Sequence, residues 1–206
     1  MKNMVSVIAL ALLVCGCSAT RFLHLPYLDS QKTDAAAPLA GEWEGVNLTD
    51  KSRVRLTIAL AAADGQETAG GIVIQGTVTR DGQSERVIPL AAQAFKVGEE
   101  TFMAVRARTD DEAFWKACGY GGSSAFLVRP YVYVVQIAPF QEDMIVRLVN
   151  FFPAGDGEAA PLSASIRTAT DDRRLVLNPT AEIQAALWEK KYELENYLQI
   201  RRVKPE

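Results

Sequence analysis

Apolar and polar residues alternate with a period of two along several segments of this chain, and that alternation most constrains its fold. Residues 53–60 read Arg-Val-Arg-Leu-Thr-Ile-Ala-Leu, with an apolar side chain at every second position. A period of two places those side chains on one face of a strand, which is typical of a strand with one buried face. The sequence therefore predicts a β-rich body.

Further strand-like runs follow at short spacing. They are rich in Val, Ile, Tyr and Phe and cover residues 72–80, 85–90, 94–97, 101–108, 131–138 and 144–152. Asp81-Gly82 separates the first two runs, and this dipeptide favours positive φ and closes hairpins. Because successive strands with short links pair antiparallel, the sequence predicts a mainly β fold, an antiparallel meander that forms a barrel or a sandwich.

The periodicity changes near the C-terminus. Asn178-Pro179 is a good helix start, with Asn178 as the cap and Pro179 at the first helical position. An apolar stripe follows at Ile183, Ala186, Leu187, Tyr192 and Leu194. Residues 198–203 alternate again, so we expect one C-terminal helix packed on the sheet and a short final strand. Residues 39–206 are long enough to bury one core, and we interpret them as a single β-rich domain.

The N-terminus has the composition of a targeting segment. One basic residue, Lys2, precedes an uncharged apolar run over residues 4–14. The run is shorter than the roughly 20 apolar residues of a membrane-spanning helix and is typical of a secretory signal. Its end, Val14-Cys15-Gly16-Cys17, resembles the lipobox of bacterial lipoproteins. That resemblance implies a signal peptide over residues 1–16, cleavage before Cys17 and a lipid on the Cys17 thiol.

A lipid on Cys17 would attach the mature chain to a membrane. Ser18 follows the cysteine where aspartate would resemble an inner-membrane retention signal, so the resemblance favours the outer membrane, facing the periplasm, in a host with two membranes. The alternative is a secretory signal cut elsewhere, with Cys17 incidental. Residues 17–38 are interpreted as a tether, which would span on the order of 25 Å if flexible. Its apolar half lies in the headgroup region, docks on the body or is partly disordered.

Charge and residue content exclude several classes of function. The chain has 22 Lys and Arg against 25 Asp and Glu, and the basic residues are scattered. Nucleic acid is therefore disfavoured as a partner, because binding it requires clustered positive charge. The single histidine, His24, lies in the tether, and Cys118 is the one thiol of the body. We expect no metal site, no cofactor and no catalytic residues, and hence a protein that is not an enzyme.

One segment combines aromatic residues with glycines. Residues 114–124 read Phe-Trp-Lys-Ala-Cys-Gly-Tyr-Gly-Gly-Ser-Ser. Trp115, Cys118 and Tyr120 are candidates for a loop at a ligand mouth or a partner surface. The alternative is a loop whose aromatic side chains cover one end of the core.

The start of the first strand, Gly41-Glu42-Trp43, is similar to the Gly-x-Trp signature of lipocalins, small barrels that carry apolar ligands. A helix followed by a last strand with Arg201 and Arg202 adds to this resemblance, which implies that a late arginine packs on Trp43. The same order of elements also resembles uncharacterised small β-rich envelope lipoproteins. That resemblance does not suggest any particular activity.

Three hypotheses follow. The first is a membrane-anchored envelope lipoprotein that acts as a binding or structural module for another envelope protein. The second is a lipocalin-like carrier of an apolar small molecule, and the third is an enzyme that uses carboxylates or hydroxyls alone. A wide apolar barrel interior would favour carriage, whereas a filled interior would favour a scaffold.

Overall fold

The computed structural model describes residues 20–27, 38–60, 71–80, 82–107, 132–140, 143–152, 160–169 and 174–204. Within these residues the chain forms ten strands and one helix. The strands are β1 (Arg21–Phe22), β2 (Gly41–Asn47), β3 (Arg53–Leu60), β4 (Gly71–Arg80), β5 (Gln83–Val97), β6 (Glu100–Ala107), β7 (Tyr133–Phe140), β8 (Asp143–Asn150), β9 (Leu175–Val176) and β10 (Glu193–Arg202). The helix, α1, spans Thr180–Trp188 and lies between β9 and β10.

Eight of the strands form a closed barrel. Its order is β10-β2-β3-β4-β5-β6-β7-β8, and every neighbouring pair is antiparallel. The meander from β2 to β8 is closed by β10, which pairs with β8 on one side and with β2 on the other. Of the two predicted architectures the protein therefore adopts the barrel. Among the described residues each barrel strand therefore has two neighbours, and the barrel has no edge strand.

The two ends of the barrel are named after Trp43 and Asn150, which lie at opposite ends of it. At the Trp43 end, β2, β4, β6 and β8 begin; at the Asn150 end, the same four strands finish. Gly82 links β4 to β5 at the Asn150 end with φ +78°, the positive value that the Asp-Gly pair predicts. Gly45 lies where β2 bends against β10, and a Cβ there would overlap the carbonyl oxygen of Gln199. Only glycine permits this close approach.

The barrel interior is the first of two apolar cores. On β3, Val54, Leu56 and Ile58 are buried while the residues between them are exposed, as the alternation predicts. Side chains from all eight barrel strands meet in this inner core, among them Trp43, Ile74, Leu90, Met103, Val135, Val146 and Ile200.

A second core lies on the outer face of β5 to β8. Phe95, Phe102 and Val149 come from the barrel wall, and Ile183 and Leu187 come from α1. Strands of this wall are apolar on both faces because one face lines the interior and the other contacts α1 and the N-terminal segment. The helix therefore packs on the outside of the barrel, which agrees with the predicted helix packed on a sheet.

The apolar half of the predicted tether lies on this outer core. Arg21 and Phe22 form β1, which pairs in parallel with β9, and Phe22 also pairs with Val132 at the start of the β7 segment. The Phe22 side chain is fully buried and meets the ring of Phe151 edge-on, with 5.5 Å between centroids. Residues 20–27 thus dock on the body, which is one of the three alternatives that the sequence leaves open.

Three element boundaries differ from the sequence-based expectation. The predicted runs at 85–90 and 94–97 form one strand, β5, because the β4–β5 register shifts between Ile74 and Gly76 and changes the phase of the alternation. The final strand is also longer than expected, starting at Glu193, so Leu194 belongs to β10 and not to the helix.

The helix start differs as well. Pro179 occupies the cap position of α1, and no side chain caps the helix. Asn178 is fully buried, and its side-chain amide accepts a hydrogen bond from the Arg167 N–H and donates one to the Ser165 carbonyl oxygen. Those bonds fasten the 163–167 segment to the helix, so the amide is not used as a cap.

Candidate functional site

The barrel interior holds an apolar cavity of about 80 Å³. Every strand of the barrel except β2 contributes to its wall, together with Leu39 from the segment that enters the barrel. Among the described lining residues, hydroxyl groups come only from Tyr133 and Tyr197, and the remaining side chains are Leu, Ile, Val and Met. A cavity with such walls has no set of polar partners for water and favours apolar occupants.

The volume limits what the cavity accepts. A cavity needs about 10–15 Å³ to hold a single water molecule, so a cavity of this size holds only a handful of non-hydrogen atoms. Sites for drug-sized ligands are commonly about 300–1,000 Å³. The interior therefore lies between the filled and the wide cases, and it matches the end of one narrow hydrocarbon chain better than a fused-ring molecule.

A polar and aromatic contact lies at the Trp43 end of the barrel. Trp43 is buried and its indole N–H donates a hydrogen bond to the Leu39 carbonyl oxygen at 2.8 Å. Arg202 lies over the indole ring, and its guanidinium donates to the carbonyl oxygen of Pro38. This is the contact between a late arginine and the first-strand tryptophan that the lipocalin resemblance implies. Arg201 instead points outwards and pairs with Glu44.

Three residues of the cavity wall are only half-buried. Val105, near the end of β6, and Tyr133, at the start of β7, lie towards the Asn150 end, and Ile137 lies further along β7. The chain between those strands, residues 108–131, carries the predicted loop candidates Trp115, Cys118 and Tyr120. These three residues and the predicted lipidation site Cys17 lie outside the described residues.

A polar groove of about 620 Å³ lies on the outer wall formed by β2, β3, β4 and β10. Its wall includes Arg53, Arg55, Thr77, Asp143 and Arg201 among others. Glu42 pairs with Arg55 at 2.8 Å, and Glu44 pairs with Arg201 at the same distance. With Glu42 counted, three arginines are balanced by three carboxylates, so the groove favours neither an anion nor a cation.

Next to the outer core, Glu100 accepts hydrogen bonds from the Tyr192 hydroxyl at 2.8 Å and from the Lys190 ammonium at 3.0 Å. Burial raises the pKa of Tyr192, and the Glu100 carboxylate that accepts its proton raises it further. For Glu100, burial raises the pKa, but the bonds from Tyr192 and Lys190 outweigh burial and lower it. These pKa shifts fit a structural clasp between the β5–β6 hairpin and the chain after α1.

The described residues hold no cluster of three or more His, Cys, Asp or Glu side chains placed to bind a metal ion. Among the same residues, no helix is long and apolar enough to cross a membrane. The sequence pointed to Trp43 and Arg202 through the resemblance, but it gave no signal for the cavity size, the outer core or the Glu100 clasp. A scan against protein-family models and searches of curated proteins and of solved structures find no match to this chain.

Proposed function

We propose that this protein is an envelope lipoprotein, attached through lipid on Cys17, whose barrel is a non-enzymatic binding module for one narrow apolar chain. In a host with two membranes it would sit on the outer membrane and face the periplasm. The observation that carries the proposal is the cavity of about 80 Å³ with an apolar wall inside a closed barrel.

The energetics of the cavity support an occupant. Empty apolar volume destabilises a folded protein by about 24 cal/mol per Å³, so a cavity of this size costs roughly 2 kcal/mol. A hydrocarbon segment that fills it recovers much of that free energy together with the dispersion contacts of its walls. For a domain of this length, recovery of 1 kcal/mol raises Tm by about 2–4 °C.

The test compares linear fatty acids of increasing chain length with a sterol, by thermal unfolding of the full chain. Linear chains are expected to raise Tm by several degrees, and the sterol is expected to leave it unchanged. Val146→Phe places a ring inside the cavity and should abolish the shift. Thr57→Phe adds the same ring to the exposed face of β3 and should retain it. Val135→Leu adds a smaller side chain to the cavity and is the second variant if the Val146→Phe protein does not fold.

The narrowness of the cavity favours a second candidate function, a structural or interaction module for another envelope protein. A core that is nearly filled needs no ligand, and the outer surface then carries the function. Absence of any Tm shift with linear chains, combined with a stabilising Val135→Leu substitution, would reject the ligand-binding proposal and favour this second function.

A further inference from the structure

Residues 20–27 are attached along the outside of the barrel, and Thr20, the first described residue of the chain, is one of the points of attachment. The Thr20 N–H donates to the Asn150 side-chain oxygen at 3.0 Å, and the Thr20 hydroxyl accepts from the Phe151 N–H at 3.0 Å. Further along, Phe22 exchanges two backbone hydrogen bonds with Val132, at 2.8 and 3.1 Å. These bonds hold the segment at the Asn150 end of the barrel.

The same segment remains attached as it runs towards the Trp43 end. Thr180 donates its hydroxyl proton to the Leu25 carbonyl oxygen at 2.8 Å, and Gln184 donates to the carbonyl oxygen of Pro26. Tyr27 is buried against the ring of Phe95, with 5.3 Å between centroids. Because backbone bonds, side-chain bonds and buried rings all contribute, residues 20–27 behave as part of the folded body and not as a spacer.

Covalent geometry then limits the separation between the body and a lipid on Cys17. Consecutive Cα atoms are 3.8 Å apart, so the three links from Cys17 to Thr20 span at most about 11 Å. That length is well below the 25 Å or so expected if all of residues 17–38 were flexible.

The surface around this attachment point carries exposed apolar side chains. Leu162 is 38% exposed and its N–H bonds to the Phe151 carbonyl oxygen. Leu194 is 37% exposed and pairs with Val149 one residue before the end of β8. Two acidic residues flank Leu194, Glu193 exposed and Glu195 half-buried, so this end suits contact with the headgroup region and not insertion into the hydrocarbon.

We infer that the link from Cys17 to Thr20 holds the Asn150 end of the barrel against the bilayer surface. The inference rests on the proposed lipid anchor. It specifies an orientation: the strands rise away from the membrane from the Asn150 end, and the Trp43–Arg202 contact lies at the far side. Val105 and Tyr133, two of the three half-buried residues of the cavity wall, lie towards the end that faces the lipid, which would give a hydrocarbon chain a short path from bilayer to cavity.

The experiment uses the full-length lipidated protein, in a Cys118→Ser background, bound to phosphatidylcholine vesicles that carry a nitroxide on the headgroup. A bimane label is placed at Leu194→Cys or, as the matched control, at Leu60→Cys. Leu60 is an exposed leucine at the Trp43 end of β3. A ten-residue strand such as β10, tilted as in barrels, separates the two ends by about 25 Å. Leu162→Cys replaces Leu194→Cys if that variant does not fold.

We expect the nitroxide to quench the bimane label at position 194 and to leave the label at position 60 unquenched. Inserting about fifteen Gly and Ser residues between Ala19 and Thr20, which adds roughly 20 Å of mean reach, should remove the difference. Equal quenching at both labels in protein that sediments with vesicles overturns the inferred orientation but leaves the anchor intact. Quenching at Leu194 that survives the insertion also overturns it. Protein that does not sediment with vesicles overturns the proposed anchor and the orientation together.

Discussion

The guanidinium carbon of Arg202 lies 5.0 Å from the centroid of the Trp43 ring. The two residues are direct partners in the β10–β2 register, so the contact joins the first and the last strand of the barrel. Hydrogen bonds from Trp43 to Leu39 and from Arg202 to Pro38 add the entering segment to the same cluster. At the Trp43 end, one cation–π pair therefore connects residues that are distant in sequence.

Removal of the arginine should weaken that end of the barrel. Arg202→Ala is expected to lower the free energy of unfolding by about 1 kcal/mol, because an exposed cation–π contact contributes about 0.5–1 kcal/mol and one hydrogen bond is also lost. The matched control is Arg201→Ala, which removes only an exposed ion pair with Glu44 and should cost less than about 0.5 kcal/mol. Urea unfolding followed by tryptophan fluorescence measures both. Equal costs would mean that Arg202 acts as an ordinary surface charge.

The N-terminal segment should contribute strongly to stability if it is part of the body. Phe22→Ala removes a fully buried ring and is expected to cost about 3–5 kcal/mol. Leu23→Ala changes the neighbouring residue, which is 38% exposed, and should cost less than about 1 kcal/mol. The measurement is the urea midpoint of each variant. A Phe22→Ala protein as stable as the parent would show that residues 20–27 do not dock in solution.

Acid should weaken the clasp at Glu100. Its pKa is lowered in the folded protein, so its stabilising contribution is present above the unfolded pKa of about 4.3 and is lost as pH falls through the folded value. Tyr192→Phe is therefore expected to cost about 1 kcal/mol at neutral pH and less once the carboxyl is protonated. Urea unfolding of both proteins across the acidic range measures this difference.

At alkaline pH the folding stability should fall because of Tyr192. Its raised pKa means that the neutral hydroxyl stabilises the fold below about pH 10 and that this contribution is lost as pH rises further. Tyr192→Phe should flatten the alkaline loss of stability. The Glu100→Gln background provides the control, since a double-mutant cycle isolates the coupling of the two side chains. A cost of Tyr192→Phe that is the same at every pH would contradict the ionised acceptor.

Cys17→Ala should abolish metabolic labelling with radioactive palmitate and leave the chain unprocessed or in the soluble fraction. The reason is that only the Cys17 thiol follows the apolar signal with a small residue directly before it. Cys15→Ala is the matched control: it changes the neighbouring cysteine to another small residue and should preserve labelling and membrane retention. Normal retention of the Cys17→Ala protein in the membrane fraction would refute the lipoprotein hypothesis.

Part of this outcome was predictable from local pattern. The alternation in β3 determined which side chains face the interior, because a strand turns successive residues to opposite faces. The Asp-Gly pair predicted the β4–β5 turn, and the change of period after residue 177 predicted a helix before the last strand. The Gly-x-Trp motif and the late arginines also pointed to the residues that meet at the Trp43 end.

What the sequence by itself determined is therefore where most of the barrel strands lie and, in β3, which face is buried, since both follow from the period of the local pattern. Only the tertiary structure decided that β10 pairs with both β8 and β2, which makes a barrel and not a sandwich. Only it decided that Phe22 reaches Phe151 and that Asn178 binds the 165–167 segment in place of capping α1. The physical reason is that each of these depends on which distant surface is available when the chain folds, and a local period carries no information about distant partners.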